Sequence, residues 1–367
     1  MIFSFEFHSV YKVRYLNQNN NNGHIYAAKV MNLNETNRIW VTKCLKHEMF
    51  ISKLLQHPNI VRTYDYFKTN TYAVIIMEYY SNGSIRLEMD RQNHPYDIGE
   101  AGRLFTGLIT GLQYMHSKNI AHRDLKLDNF FLDNNRQPLI GDFGFAAIGI
   151  KQGRLIIEHL IRQTRCGSDG YMAPEIAKIT KIYSNDDSDV EQQQKQQQQQ
   201  QFQYNAKKAD VYSMGVCLYE MLHQKLPNID MTTTTNSNTS LKSSSLKSLS
   251  FATNINERWQ NLIKSMLNQE PNERPTVEMI SYQISTPLFR IMTMVQSTII
   301  KKRSDTNINN NQNDNNQNNN NNNKTSNQQQ QPKQQQQKSN QQQQAKQQQQ
   351  PKPKKQQKHS MDKKRAI

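Results

Sequence analysis

The order of hydrophobic patterns along the chain is the feature that most restricts its fold. Runs rich in β-branched and aromatic residues predict strands early in the chain, at 9–15, 24–31, 61–68 and 72–78. Helical periodicity predicts helices at about 38–55 and then at 97–117, 206–222, 257–267 and 275–283. A small strand-rich part followed by a larger helical part predicts an α+β fold of two lobes with a cleft between them.

Composition predicts where the globular part ends. Residues 301–367 are almost entirely Asn, Gln, Lys and Pro, so we expect 291–367 to form a disordered Asn/Gln/Lys-rich tail. Residues 301–367 hold 14 Lys and Arg against 3 Asp, which places 11 of the 16 net positive charges there. The net charge therefore does not indicate a basic folded face. We expect no specific nucleic-acid partner, and polyanion binding by the tail stays open as an added property.

Two polar segments interrupt the globular part. The segment at about 184–204 carries an acidic patch followed by a Gln run, and the segment at about 230–250 is rich in Thr, Ser, Asn and Lys. Neither has enough apolar residues to offset the entropy lost on ordering. We expect both to be low-complexity insertions that form mobile surface loops.

Cysteine usage and hydropathy predict the compartment. Cys44, Cys166 and Cys217 are far apart and form no CxxC or Cys/His cluster, so no disulfide framework or zinc site is indicated. No apolar run reaches the roughly 18 residues that a membrane span needs. The apolar start, Met1 to Phe7, is short and lacks the basic flank of a signal peptide. We expect an intracellular protein, cytoplasmic or nuclear, with no membrane partner.

Two motifs in the centre of the chain indicate phosphoryl-transfer chemistry. The segment from His122 to Asn129 reads HRDLKLDN, and Asp142-Phe143-Gly144 begins 18 residues after Asp124. In this order and spacing they match the catalytic loop and the metal-binding motif of protein kinases. Over about residues 3–290 the chain resembles eukaryotic protein kinases. Lys126 makes it similar to the serine/threonine type, and the order Thr-x-Cys-Gly-Ser at 164–168 resembles the calcium/calmodulin-dependent or AMP-activated-like branch.

The resemblance implies a bilobal kinase domain over 1–290, with an N-lobe at about 1–80 and a C-lobe at about 81–290. It implies transfer of the γ-phosphate of ATP, with Mg²⁺, to Ser or Thr hydroxyls of protein substrates. Asp124 is expected to orient the hydroxyl and accept its proton, and Lys126 to reach the transferring phosphate. Asn129 and Asp142 match the family's Mg²⁺ ligands, which are hard oxygen donors.

The same resemblance assigns the nucleotide site in the first lobe. Lys29, in Tyr26-Ala27-Ala28-Lys29, matches the lysine that holds the α- and β-phosphates, and Glu48 is its expected carboxylate partner. The expected adenine contacts are the apolar side chains of Val10 and Ala28, the gatekeeper Met77, and the backbone of Glu78 and Tyr80.

Further motifs match the segment that follows Gly144. Glu175 is expected to pair with Arg274, and Asp210 to brace the catalytic loop. Thr164 matches a site for an upstream kinase, whose phosphate Arg123 would receive. The alternative, an unmodified solvent-exposed Thr164, stays open.

The glycine-rich loop is the main departure from the family pattern. Phe3, Phe5 and His8 stand where the family has three glycines that let backbone N–H groups approach phosphate. Two explanations stay open: the sequence is incomplete at its N-terminus, or the loop is lost, which would favour a pseudokinase or scaffold. Ser52 and Thr63 stand where larger apolar residues usually link the lobes, which predicts a less stable assembled state.

Substrate preference has one sequence signal. Asp128 and Glu220 match acidic positions that help some relatives accept a basic residue before the target hydroxyl. We expect a mild preference for protein substrates with Arg or Lys upstream of the target Ser or Thr.

Overall fold

The structure is a computed structural model that describes residues 3–5, 8–15, 23–33, 47–151, 154–155, 160–162, 165–179, 203–229, 249–291, 293–296 and 298. These residues all belong to one compact unit, Met1–Ile300. The predicted insertions and the segment 301–367 lie almost wholly outside the described residues. Two findings concern the predicted boundaries: Tyr204 lies in a strand, and 293–296 are helical beyond residue 290.

The first lobe is an antiparallel sheet of five strands in the order β1-β2-β3-β5-β4. Their bounds are Phe3–Phe5 (β1), His8–Arg14 (β2), Ile25–Asn32 (β3), Thr63–Lys68 (β4) and Tyr72–Glu78 (β5). A helix described over 47–54 (α1) places Met49 against Ala73 and Ile75 of β5. Met31 of β3, Leu33 directly after it and Met77 of β5 complete the small apolar core of this lobe.

The second lobe is mainly helical. Its helices are Ile85–Gln92 (α2), Ile98–Ser117 (α3), Pro174–Ala177 (α4), Ala206–His223 (α5), Glu257–Met266 (α6) and Val277–Ser285 (α7). Asx or Thr side chains cap the longer helices: Asp97, Asn205, Asn256 and Thr276 each accept a backbone N–H of the first turn. Helix α5 is buried along most of its length and forms the centre of the lobe.

Short strand pairs hold the two central motifs side by side. Strand β6 (Ile120–Ala121) pairs with β9 (Ala147–Ile148), and β7 (Phe130–Leu132) pairs with β8 (Pro138–Ile140). The HRD loop connects β6 to β7, and the DFG segment connects β8 to β9. Antiparallel pairing on both sides therefore brings these loops together at one edge of the lobe. Two further pairs, β10 (Ile150–Lys151) with β11 (Arg154–Leu155) and β12 (Ile161–Arg162) with β13 (Tyr204–Asn205), lie in later segments.

The fold class is confirmed, and the predicted strands and helices agree with the observed bounds to within about two residues wherever both ends are described. None of the described helices is long and apolar enough to cross a membrane.

Gly111→Ala is expected to destabilise the fold. A β-carbon on Gly111 would lie 2.8 Å from the Asn59 carbonyl oxygen, which accepts a hydrogen bond from Ile140 N at 2.9 Å. Overpacking here should lower the free energy of unfolding by about 1–3 kcal/mol, despite the better helix propensity of Ala. Urea denaturation measures the change, with Thr110→Ala on the exposed side of the same helix as the control. Unchanged or increased stability would contradict this close approach.

Candidate active site

A buried lysine links the two lobes through carboxylates. The Nζ atom of Lys29 lies 3.0 Å from Glu48 Oε1 and 2.7 Å from Asp142 Oδ1. Lys29 and Glu48 are 6% and 7% exposed, so water screens the contact weakly. Burial alone would lower the pKa of Lys29, but the charges of Asp142 and Glu48 outweigh it and raise that pKa above its usual value. Lys29 therefore stays charged.

The catalytic loop positions a carboxylate, an amide and a second lysine. Asp124 is buried, and the Nδ2 atom of Asn129 donates to its backbone oxygen at 2.8 Å and to its Oδ2 at 3.3 Å. A 3₁₀ turn, Leu127–Asn129, brings Asn129 back toward Asp124. Lys126 Nζ lies 3.5 Å from Asp124 Oδ2. The loop thus brings together the three residues that the HRD motif predicts.

Asp210 of α5 braces the catalytic loop, as its motif predicts. Its Oδ2 accepts hydrogen bonds from His122 N at 2.8 Å and His116 Nε2 at 2.9 Å, and its Oδ1 accepts one from Arg123 N at 2.7 Å. Arg123 and Asp142 adopt positive φ angles of 70° and 60°, which cost free energy in non-glycine residues. The hydrogen bonds that the His122 and Arg123 N–H groups donate to Asp210 of α5 hold the HRD backbone in this conformation.

Ser168 is a site residue that the motif match does not predict. Its N and Oγ atoms both donate to Asp124 Oδ1 at 2.8 Å, and Lys126 Nζ donates to its Oγ at 2.8 Å. The sequence offers one signal for this role, a hydroxyl residue between two nearby glycines, Gly167 and Gly170. In the structure both glycines adopt positive φ angles, which place Ser168 in a turn. Ser168 therefore joins the segment before Glu175 to the catalytic carboxylate.

A cavity of about 210 Å³ lies between the lobes. The predicted site residues that line it are Val10, Lys29, Glu48, Met77, Glu78, Tyr80, Asn129 and Asp142. Asp124 lines a smaller neighbouring cavity together with Ser168 and Tyr171. The structure thus brings the predicted nucleotide contacts to one opening, directly beside the HRD loop.

Ala28 is the exception, and its prediction is wrong by one position. Ala27 lines the cavity, whereas Ala28 is buried away from it. Side chains alternate between the two faces of a strand, so the residue two before Lys29 shares its face. The motif alone does not say which face of the strand each alanine occupies, so it does not distinguish Ala27 from Ala28.

The first hairpin keeps its register without the glycines. Phe3 pairs with Val10, and Phe5 pairs with His8, while residues 6–7 lie outside the described part. Val10 is thereby held over the cavity opposite Lys29 of β3.

Four side chains lie where apolar residues usually link the two lobes: His122, Phe143 and the two polar residues Ser52 and Thr63. The rings of His122 and Phe143 lie 5.7 Å apart in a T-shaped contact, while Ser52 and Thr63 line the cavity beside them. Ser52 is buried and donates to the Glu48 backbone oxygen at 2.7 Å. These short side chains fill less space than the larger apolar residues expected there.

The end of the segment after Gly144 is fixed by an ion pair. Arg274 donates to Glu175 through two bonds of 2.7 Å, and its side chain is fully buried. This confirms the predicted pairing. Thr164 lies outside the described residues, and Arg123, its expected partner, donates to the Tyr204 hydroxyl at 2.9 Å and 3.1 Å.

Comparison with known proteins agrees with this geometry. Residues 6–284 match the family model described as a protein kinase domain. A probable serine/threonine-protein kinase of Dictyostelium discoideum is 30% identical over 236 residues, covering 64% of this chain and 24% of the relative. CBL-interacting serine/threonine-protein kinase 5 of Arabidopsis thaliana is 32% identical over 206 residues, covering 56% and 40%. Cell cycle serine/threonine-protein kinase CDC5/MSD2 of Saccharomyces cerevisiae is 32% identical over 264 residues, covering 71% and 33%.

The chain spans less than half the length of each of these curated relatives. The family match nevertheless covers most of the chain and includes both lobes, the cavity and the HRD and DFG loops. The relatives named above carry serine/threonine kinase names, in agreement with Lys126 in the HRD loop. The chain therefore belongs to the protein kinase family, in its serine/threonine branch.

Proposed function

We propose that this protein transfers the γ-phosphate of ATP to Ser or Thr hydroxyls of protein substrates. One observation carries the proposal. The Lys29–Glu48–Asp142 cluster and the Asp124–Asn129 pair lie at the same cleft, held by buried hydrogen bonds and, at Asp142, by a part-buried one. An ordinary structural core has no use for these groups together, since burying charges costs free energy.

The cavity suits a purine nucleotide. Val10 and Ala27 offer apolar surface for the purine ring, and Met77, near the C-terminal end of β5, also lines the cavity. The N–H of Glu78 already donates to the Arg62 backbone oxygen at 2.9 Å, so we assign its carbonyl oxygen to the amino group of the purine. The Tyr80 N–H is the expected donor to the ring. Lys29 would then contact the α- and β-phosphates.

The donor set fits Mg²⁺. The described residues contain no cluster of three or more His, Cys, Asp or Glu that could hold a metal by itself. Mg²⁺ needs fewer protein ligands, because it retains waters and takes phosphate oxygens. Asn129 and Asp142 supply oxygen donors beside the same cavity. The bound ion would neutralise phosphate charge.

The acceptor hydroxyl is expected to bind at Asp124. Ser168 shows that Asp124 Oδ1 accepts a hydrogen bond from a serine hydroxyl at 2.8 Å. A substrate Ser or Thr presented to this carboxylate would be oriented for attack, and Asp124 would accept its proton. Lys126 lies 3.5 Å from Asp124 and would meet the transferring phosphate. Thr164 remains a proposed site for an upstream kinase.

Lys29→Met is expected to reduce phosphate transfer by about 10²–10³-fold, because it removes a preorganised positive charge from the phosphate site. The measurement is Mg·ATP-dependent phosphate incorporation into a generic protein substrate. Lys118→Met, on an exposed side chain at the end of α3, is the matched control and should retain full activity. Equal activity of all three proteins would contradict the proposal. Nucleotide binding without any phosphate transfer by the wild type would favour the pseudokinase alternative.

A further inference from the structure

A basic residue of the protein itself lies between the two acidic residues that the sequence assigns to substrate recognition. Arg86 of α2 contacts Glu220 Oε1 through its Nη2 atom, and its Nε lies 3.9 Å from Asp128 Oδ2. The same Nη2 donates to the Tyr171 hydroxyl at 2.8 Å, and that hydroxyl donates to Glu220 Oε2. Glu220, one of the two expected acceptors of a substrate cation, is therefore already hydrogen-bonded to Arg86, and Asp128 lies at ion-pair distance from the same side chain.

This cluster adjoins the place where the substrate must lie. Asp128 belongs to the same loop as Asp124 and lines the nucleotide cavity. Tyr171 follows Ser168 by three residues and shares the smaller cavity with Asp124. A peptide chain whose hydroxyl reaches Asp124 must pass close to these residues. The position of the cluster therefore fits a side-chain subsite next to the target hydroxyl.

Burial makes the Arg86 contact hard to replace. The Glu220 side chain is only 4% exposed, whereas those of Arg86 and Asp128 are 25% and 41% exposed. Asp90, whose Oδ1 lies 4.0 Å from Arg86 Nη1 on the same helix, is 59% exposed. A carboxylate at that depth needs a hydrogen-bonded cation. Burial would lower the pKa of Arg86, but the hydrogen bond to Glu220 raises it above its usual value. Arg86 thus remains a permanent cation over Glu220.

We propose that Arg86 occupies the basic-residue subsite of this kinase and so determines its substrate specificity. The protein then accepts substrates without an upstream Arg or Lys, which revises the preference expected from Asp128 and Glu220 alone. Removing Arg86 leaves an acidic pocket of the right charge for an arginine from the substrate. This inference rests on the proposed kinase function.

The test uses Ser-containing peptides with a single Arg at each of the five positions before the Ser, and one Arg-free peptide. The wild type should give similar kcat/KM for all of them. Arg86→Ala should favour one Arg position by about tenfold or more, the effect of one charge-assisted hydrogen bond. Arg103→Ala, which removes an arginine paired with Glu100 on α3, is the control and should leave the profile unchanged.

Two further variants separate specificity from folding. In Arg86→Ala/Glu220→Gln the new preference should disappear, because the acidic partner is gone while its shape is kept. Ethylguanidinium should occupy the vacant site in Arg86→Ala and inhibit its action on the favoured peptide, with no such effect on the wild type. An Arg preference in the wild type, or none in Arg86→Ala, would overturn the inference.

Binding without ATP distinguishes failure of this inference from failure of the kinase proposal. Each of the five Arg peptides is labelled with a fluorophore, and its binding is measured by fluorescence anisotropy. At least one of them should bind Arg86→Ala about tenfold or more tightly than it binds the wild type. Tighter binding without phosphate transfer would support the subsite and contradict the proposed activity. If both proteins transfer phosphate and bind every labelled peptide equally well, the result would support the proposed activity and contradict the subsite.

Discussion

Asp124→Asn is expected to lower kcat for phosphate transfer by about 10²–10⁴-fold, the range for loss of a general base. The amide keeps the shape of the carboxylate but cannot accept the hydroxyl proton. Nucleotide affinity should change little, because the cavity residues Lys29 and Asp142 are unaltered. Steady-state kinetics at saturating Mg·ATP measure the first effect, and displacement of a fluorescent nucleotide measures the second.

The matched control is Asp65→Asn, the same chemical change on an exposed residue of β4, which should leave kcat unchanged. Ser168→Ala adds a second comparison, since it removes the hydroxyl that Asp124 and Lys126 share. It should lower kcat less than Asp124→Asn does, because the carboxylate remains. Full activity of Asp124→Asn would refute the role assigned to this carboxylate.

Arg274→Met is expected to cause the largest loss of stability, about 3–5 kcal/mol in the free energy of unfolding, as for breaking a buried ion pair from one side. The substitution leaves Glu175 without its partner. It also removes the donors to the backbone oxygens of Asn268 and Lys208, which Arg274 contacts at 2.7 Å and 3.0 Å. Guanidinium denaturation followed by fluorescence measures the change.

A double-mutant cycle and a surface control sharpen this test. Arg274→Met/Glu175→Gln should lose less than the sum of the single variants, because no unpaired charge remains. Arg136→Met removes a cation that pairs with Glu88 and Glu100 but is 46% exposed, so its effect should stay near or below about 1 kcal/mol. Similar losses in Arg274→Met and Arg136→Met would show that burial does not set the strength of the pair.

The sequence predicts most of the candidate site because its residues lie in short, local motifs. Asp124, Lys126 and Asn129 fall within one loop, and the strand that carries Lys29 is recognisable from its β-branched and aromatic neighbours. The spacing to Asp142 adds a second motif. Local spacing of this kind survives folding, since the two strand pairs, β6 with β9 and β7 with β8, together hold both loops side by side.

The remaining features depend on phase or on contacts between distant segments. Ala27 rather than Ala28 lines the cavity because side chains alternate along β3, and the motif alone does not fix that phase. The pairing of Arg86 with Glu220 joins residues 134 positions apart, on helices whose packing no short pattern specifies. Ser168 reaches Asp124 through a turn whose shape depends on Gly167 and Gly170.

The 2.7 Å contact between Lys29 and Asp142 has a consequence for motion. Asp142, Asp124 and Asn129 are anchored to the helical half, whereas Lys29 and Glu48 travel with the sheet. Any hinge-like opening that admits or releases nucleotide must stretch this charged bridge. Hinge opening therefore depends on this ion pair. Added salt should make the empty cleft easier to open, because the pair becomes more exposed to dissolved ions as the lobes separate.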